Sequence, residues 1–148
     1  MHQLNGFMHN LGGRLTTWEP DRAVIELDVA EYHLNGIGVV HGGVMAALID
    51  TVGARAGLFC AVDGNIRRAM TVSMNVNLVG NVREGSMIAE GRVRKAGKTI
   101  YVSSCDVHDH DGNLLATGEV VCRYARGSHL PEGIAAPGES ADGPGGQS

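Results

Sequence analysis

The segment "GGVMAALIDTVGARAGLFC", Gly42 to Cys60, constrains the fold more than any other part of the chain. Its apolar residues, Val44, Met45, Ala46, Ala47, Leu48, Ile49, Val52, Ala54, Ala56, Leu58 and Phe59, cover every face of a helix and leave no polar stripe for solvent. Such a helix has to be wrapped by other elements.

The wrapping elements lie on both sides of it. Before the helix, "RAVIELDVA" alternates Ile25, Leu27 and Val29 against Glu26 and Asp28, the period of a half-buried strand. After it, "AMTVSMNVNLV" alternates Met70, Val72, Met74, Val76 and Leu78 against Thr71, Ser73, Asn75 and Asn77. "SMIAEGRVRK", "KTIYVSSCDVHD" and "LLATGEVVCRY" read as three more strands, separated by the turn-rich "GNVREG", "AG" and "HDHDGN". Four successive strands joined by tight turns predict an antiparallel meander. With one helix they make an α+β domain whose sheet curls around that helix. The stretch before Arg22 is expected to add a helical turn or two.

With 148 residues, 43% of them apolar, the chain suits a single domain over residues 1–126. The tail, residues 127–148, holds three of the four prolines and six glycines and is expected to be disordered. It also carries Glu132, Glu139 and Asp142 without a Lys or Arg, so the body before it has 12 basic against 13 acidic residues. That balance predicts no nucleic-acid partner and no anionic membrane surface. No apolar run reaches membrane-spanning length, and "MHQLNGFMHNLGG" lacks the character of a signal peptide, so a cytoplasmic location is expected. Cys60, Cys105 and Cys122 have neither the number nor the spacing of a disulfide framework or zinc site.

Two motifs invite misreading. Gly36 and Gly38 start like a dinucleotide-binding loop, but the third glycine position is His41, and no second parallel strand or suitably placed acidic residue follows. They are expected to let a loop turn at positive φ. "HDHD", residues 108–111, resembles a metal cluster, yet it falls at a hairpin tip and supplies too few ligands for a transition metal.

The chemistry centres on Asp50. Between Gly42 and Val62 the only charges are Asp50 and Arg55, and five helical residues set them about 140° apart, a poor geometry for an ion pair. A carboxylate in so apolar a helix is either paired elsewhere or used. At the other end, Gly42 and Gly43 open the helix with unpaired N–H groups at the positive end of the dipole, suited to a phosphate or to a carbonyl oxygen gaining charge. Eight residues along a helix span about 12 Å, so Asp50 cannot serve a carbonyl bound at its own helix start. A second, antiparallel copy of the helix would bring Asp50 of one chain to Gly42 of the other, which predicts a homodimer with two sites across the interface.

Taken together, "HLNGIGVVHGGVMAALIDTVGARAG", "MTVSMNVNLVG" and "VRKAGKTIYVSSCDVHDHDGNLLATGEVVCRY" resemble the hotdog-fold acyl-CoA thioesterases of the phenylacetate-pathway (PaaI-like) and 4-hydroxybenzoyl-CoA thioesterase branch, over roughly residues 10 to 125. The resemblance implies a long helix wrapped by an antiparallel sheet, dimers that share a continuous sheet, and dimers pairing into tetramers. It implies that the Gly42 N–H polarises a thioester carbonyl, that His41 supports the loop, and that Asp50 is a catalytic carboxylate supplied by the opposite subunit. It further implies that Asn35 orients the water or the thioester and that Thr71 contributes a water-binding hydroxyl. Ala54 stands one turn after Asp50, where some members carry a hydroxyl, which favours the branch that uses Thr71.

The substrate implied is an aryl- or medium-chain acyl-CoA, hydrolysed without metal or separate cofactor. Gly43 at the helix start, and Arg67, Arg68, Arg94, Lys95 and Lys98 toward the CoA phosphates, are the substrate-binding candidates. Two other readings of the fold are a hydratase or dehydratase, for which His41 and Asp50 are wrongly spaced within one chain, and a non-catalytic acyl-CoA sensor, for which a buried charge brings no gain.

Overall fold

The computed structural model of the chain describes residues 4–138. Its elements run α1 (Gly6–Asn10), β1 (Arg14–Glu19), β2 (Arg22–Asp28), a 3-10 turn (Glu31–His33), α2 (Gly42–Ala56), β3 (Asn65–Ile66), β4 (Ala69–Leu78), β5 (Ser86–Ala96), β6 (Ile100–Asp109), β7 (Leu114–Tyr124) and β8 (Ile134–Ala135). A six-stranded antiparallel sheet in the order β1-β2-β5-β6-β7-β4 curls around α2, and β3 pairs with β8 beside it.

Helix α2 ends at Ala56, short of the expected Cys60. A Cβ on Gly57 would collide with the Tyr101 ring. The last helical carbonyls, unpaired within any helix, are taken by the sheet: Ser103 Oγ donates to Gly53 O at 2.8 Å, Tyr101 OH to Ala54 O at 2.7 Å and Trp18 Nε1 to Arg55 O at 2.8 Å. The helix is apolar all round in sequence but not uniformly covered. Val44, Met45, Leu48, Ile49, Val52, Gly53 and Ala56 are buried against the sheet, whereas Ala46, Ala47, Asp50, Thr51 and Ala54 form a half-covered face.

The expected meander of four strands is a meander of three, β5-β6-β7. β4 lies beyond β7 at the sheet edge, because the connection to β5 crosses the N-terminal end of α2 instead of turning back on itself. It is tied along the way: Val79 N–H donates to Leu115 O, Val40 N–H to Val82 O and Val29 N–H to Gly85 O. β1 was not anticipated, since a bulge between Leu15 and Thr17 breaks its alternation and leaves Leu15 and Trp18 to pack on the core.

The segment expected to be disordered is folded in part. Over residues 127–138, β8 pairs with β3, the Arg68 N–H donates to buried Ser128 Oγ at 2.9 Å, and Arg67 holds the Ser128 and His129 carbonyls. The rest of the tail, 139–148, lies outside the described residues. The "HDHD" motif builds the β6–β7 turn: Asp109 accepts from the Asp111 and Asn113 N–H groups and from Asn113 Nδ2. Among the described residues no helix is long and apolar enough to cross a membrane.

Helix and sheet meet at backbone distance where β5 passes α2. A Cβ on Gly91 would stand 2.6 Å from Val52 O, an atom that cannot swing aside. Gly91→Ala is therefore expected to cost about 1–3 kcal/mol in chemical denaturation; unchanged stability would contradict this packing.

Candidate active site

The start of α2 is held by the loop before it. Asn35 Oδ1 accepts from the Ile37 N–H at 3.0 Å and the Val39 N–H at 3.3 Å, and Gly38 closes the turn at φ 79°. Of the two loop glycines only Gly38 uses positive φ. With its carbonyl engaged in the loop, Asn35 presents its amide NH2 as the part open to a ligand.

His41 caps the helix: its Nδ1 accepts from the Gly43 N–H at 2.7 Å, which puts the proton of the neutral ring on Nε2. Gly43, expected to share the anion-binding role, thus has its N–H occupied. The Gly42 N–H has no acceptor among the described residues. It opens into a cleft of about 330 Å³ lined by Asn35, Val39, Val40, Met45, Leu78 and Asn81, among others. Leu78 lies so close over Gly42 that a Cβ there would be 2.5 Å from its Cδ1.

Behind the loop stands His33, which sequence reasoning missed. It is 1% exposed, its Nδ1 accepts from the Ala30 N–H at 2.9 Å and its Nε2 donates to Leu11 O at 2.7 Å. Its own carbonyl accepts from the His41 N–H at 2.8 Å. No local pattern marks it, because its partners come from the N-terminal segment and the 3-10 turn.

The carboxylate end depends on an irregularity in β4. Strict alternation puts Thr71 on the outer face with Ser73, Asn75 and Asn77. A bulge between Thr71 and Ser73 turns Thr71 inward, paired with Cys122, and leaves Met70 77% exposed. Thr71 Oγ1 then donates to Asp50 Oδ1 at 2.6 Å, the length of a charge-assisted bond. Arg55 does not pair with Asp50; its guanidinium stacks over the Trp18 ring at 5.3 Å, where burial lowers its pKa. Asp50 Oδ2 is left open on the half-covered face of the helix. Beneath Thr71 the environment is apolar and proton-retaining: burial pushes up the Cys122 thiol and the Tyr101 phenol, and raises Cys105 to about 12.

Within one chain the structure brings together Asp50 with Thr71, and Gly42 with Asn35 and His41, as two half-sites about 12 Å apart along α2. The cations divide. Arg67 is spent on structure, donating to Phe59 O, Ser128 O, His129 O and the Tyr124 hydroxyl, with its guanidinium over the Tyr124 ring. Arg68, Lys95 and Lys98 are exposed, as is Arg94, whose Nη1 reaches Ser104 Oγ at 3.4 Å.

One long helix inside a curled antiparallel sheet defines a hotdog fold, here with an unengaged N–H at the helix start and a carboxylate midway along it. The profile of the thioesterase superfamily matches residues 37–116. Human acyl-coenzyme A thioesterase 13 is 30% identical over 117 residues, covering 78% of each chain. A thioesterase of Haemophilus influenzae superposes with a TM-score of 0.74 at 25% identity, over 82% of this chain and 83% of that one. The E. coli PaaI protein from the phenylacetic acid degradation operon shares the fold, with a TM-score of 0.72 at 20% identity over 82% and 85% of the two chains. The chain belongs to the thioesterase superfamily and is an enzyme of the thioester-hydrolase class.

The His41 cap can be tested apart from activity. His41→Ala should lower the stability of the folded protein by about 1 kcal/mol, while His41→Asn, itself a capping residue, should recover most of it. Equal stability of all three proteins would contradict the cap.

Proposed function

We propose that the protein is an acyl-CoA thioesterase that hydrolyses aryl- or medium-chain acyl-CoA, each site made from the Gly42 end of one subunit and Asp50 of the other. The observation that carries the reading is the separation of the two half-sites: an unengaged Gly42 N–H, and an Asp50 fixed by Thr71, too far apart in one chain to meet at one carbonyl. The edge of β4 supports a homodimer. It is a ten-residue strand bonded on one side only, with Leu78 54% exposed on it and Val79 59% exposed just beyond it. An apolar edge of that length calls for a partner strand.

In this reading the thioester carbonyl oxygen accepts from the Gly42 N–H, helped by the positive end of the α2 dipole, and the Asn35 amide orients the group. The single Thr71 proton is committed to Asp50, so a water held there gives its hydrogens to Asp50 Oδ2 and Thr71 Oγ1 and turns a lone pair toward the carbonyl carbon. Asp50 takes the proton as the new C–O bond forms, and collapse of the tetrahedral intermediate breaks the C–S bond, releasing the acid and CoA thiolate, which is then protonated. The apolar cleft walls, Val39, Val40, Met45 and Leu78, suit a hydrocarbon acyl group. Arg68, Lys95 and Lys98, with Arg94 beside Ser104, are exposed cations that the CoA phosphates could meet. The name of the human relative, an acyl-coenzyme A thioesterase, is consistent with that substrate class.

Thiol release from a panel of aryl- and acyl-CoA thioesters tests the reading. Asp50→Asn should lose at least about a hundredfold in kcat while keeping its fold and oligomeric state. Full activity in that variant would sink the proposal.

A further inference from the structure

We infer that Cys122 is a positioning residue for hydrolysis: its thiol donates to Thr71 Oγ1 and holds that hydroxyl in the orientation that donates to Asp50. The inference rests on the catalytic reading of Asp50.

The direction of each hydrogen bond follows by elimination. An ionised carboxylate only accepts, so the 2.6 Å contact between Thr71 Oγ1 and Asp50 Oδ1 uses the single threonine proton. Thr71 Oγ1 also lies 3.8 Å from Cys122 Sγ. With its proton spent, the hydroxyl can meet the sulfur only as an acceptor, so in a hydrogen bond between the two the thiol is the donor; the Tyr101 hydroxyl, also in contact with the thiol, is the competing acceptor. Burial pushes the Cys122 thiol upward, so it keeps the proton that this needs. Cys122 is fully buried on β7, paired to Thr71 on one side and to Tyr101 on the other. Tyr101 directs its own proton to Ala54 O at 2.7 Å. The contact exists because of the β4 bulge, which sets Thr71 opposite an inward-facing residue of β7.

The consequence reaches the water. One lone pair of Thr71 Oγ1 is filled by the thiol, which leaves one acceptor direction, and the proposed water has a single place to bind. Without the thiol the threonine side chain is free to leave the rotamer that serves Asp50, and the effect falls on turnover more than on substrate binding.

The test uses the full chain as wild type, Cys122→Val, Cys122→Ser, Thr71→Val, Thr71→Val/Cys122→Val and Asp50→Asn, with benzoyl-CoA and octanoyl-CoA as substrates. Valine removes the donor, and serine, with its shorter Cβ–O bond, holds a hydroxyl beyond hydrogen-bond reach of a Thr71 Oγ1 that already lies 3.8 Å from the sulfur. Cys122→Val is expected to lower kcat by about 3- to 10-fold with KM unchanged, and Cys122→Ser to show a comparable loss. In the Thr71→Val background the same Cys122→Val change should have no further effect on kcat, because the group through which it acts is gone. Equal losses in both backgrounds, or no loss in either, overturn the inference.

A second readout does not depend on turnover. The S–H stretching band of Cys122, identified by its absence in Cys122→Val, should move to higher frequency in Thr71→Val, as expected for a thiol that has lost its acceptor; an unmoved band overturns the contact. An active Asp50→Asn with a shifted band would mark the failure of the catalytic reading and leave the hydrogen bond standing.

Discussion

Everything in this fold depends on how closely the central helix approaches the sheet. Gly53 of α2 sits where a Cβ would press on Val120 and Cys105, and Gly91 of β5 where one would press on the Val52 carbonyl. Glycine on both surfaces lets helix backbone and sheet backbone meet without intervening side chains, and Ser103, Tyr101 and Trp18 then bond the last helical carbonyls. These contacts fix the height and the rotation of α2 together. Rotation decides which face is half-covered, and so which way Asp50 points.

The helix then does two jobs at different positions. Its first turn offers a backbone donor, because His41 takes the Gly43 N–H and leaves that of Gly42. Two turns further on, Asp50 is kept oriented by a hydroxyl from the neighbouring edge strand. In the proposed function, an oxyanion donor and a base on one rigid helix cannot converge on one carbonyl, whereas two antiparallel helices would satisfy both sites at once. The strand that delivers Thr71 also has an unpaired side, as β1 does at the opposite end of the sheet, so the catalytic and assembly roles proposed for β4 are linked.

Much of this was legible in the sequence. The apolar run with its lone carboxylate identified both the central helix and Asp50, and period-two alternation identified five of the strands, because both signals are local. The order of the sheet was not, since β4 finds β7 through a connection held by Leu115, Val40 and Val29, residues far apart in the chain. Alternation also put Thr71 on the wrong face, and the family resemblance alone singled it out; the bulge at Val72 reconciles the two. The separate fates of Gly42 and Gly43 turn on where one imidazole nitrogen lies. The loss of Arg67 to structure turns on carbonyls supplied by a segment whose composition suggested disorder.

The central claim is that each active site draws on two chains, and subunit complementation addresses it most directly. Gly42→Pro removes the N–H at a helical first-turn position where the proline φ is tolerated, and His41 is already extended at φ -61° and ψ 135°, as a residue before proline must be; the added Cβ displaces only the flexible end of Leu78, which would otherwise lie 2.5 Å from it, so the fold of this variant is checked first. Asp50→Asn removes the base. Each homodimer should be inactive, but after the two are unfolded together and refolded as a mixture, half of the dimers carry one intact site, and activity should return to about a quarter of wild type. A mixture that stays inactive while mass spectrometry shows heterodimers would contradict a site shared between subunits.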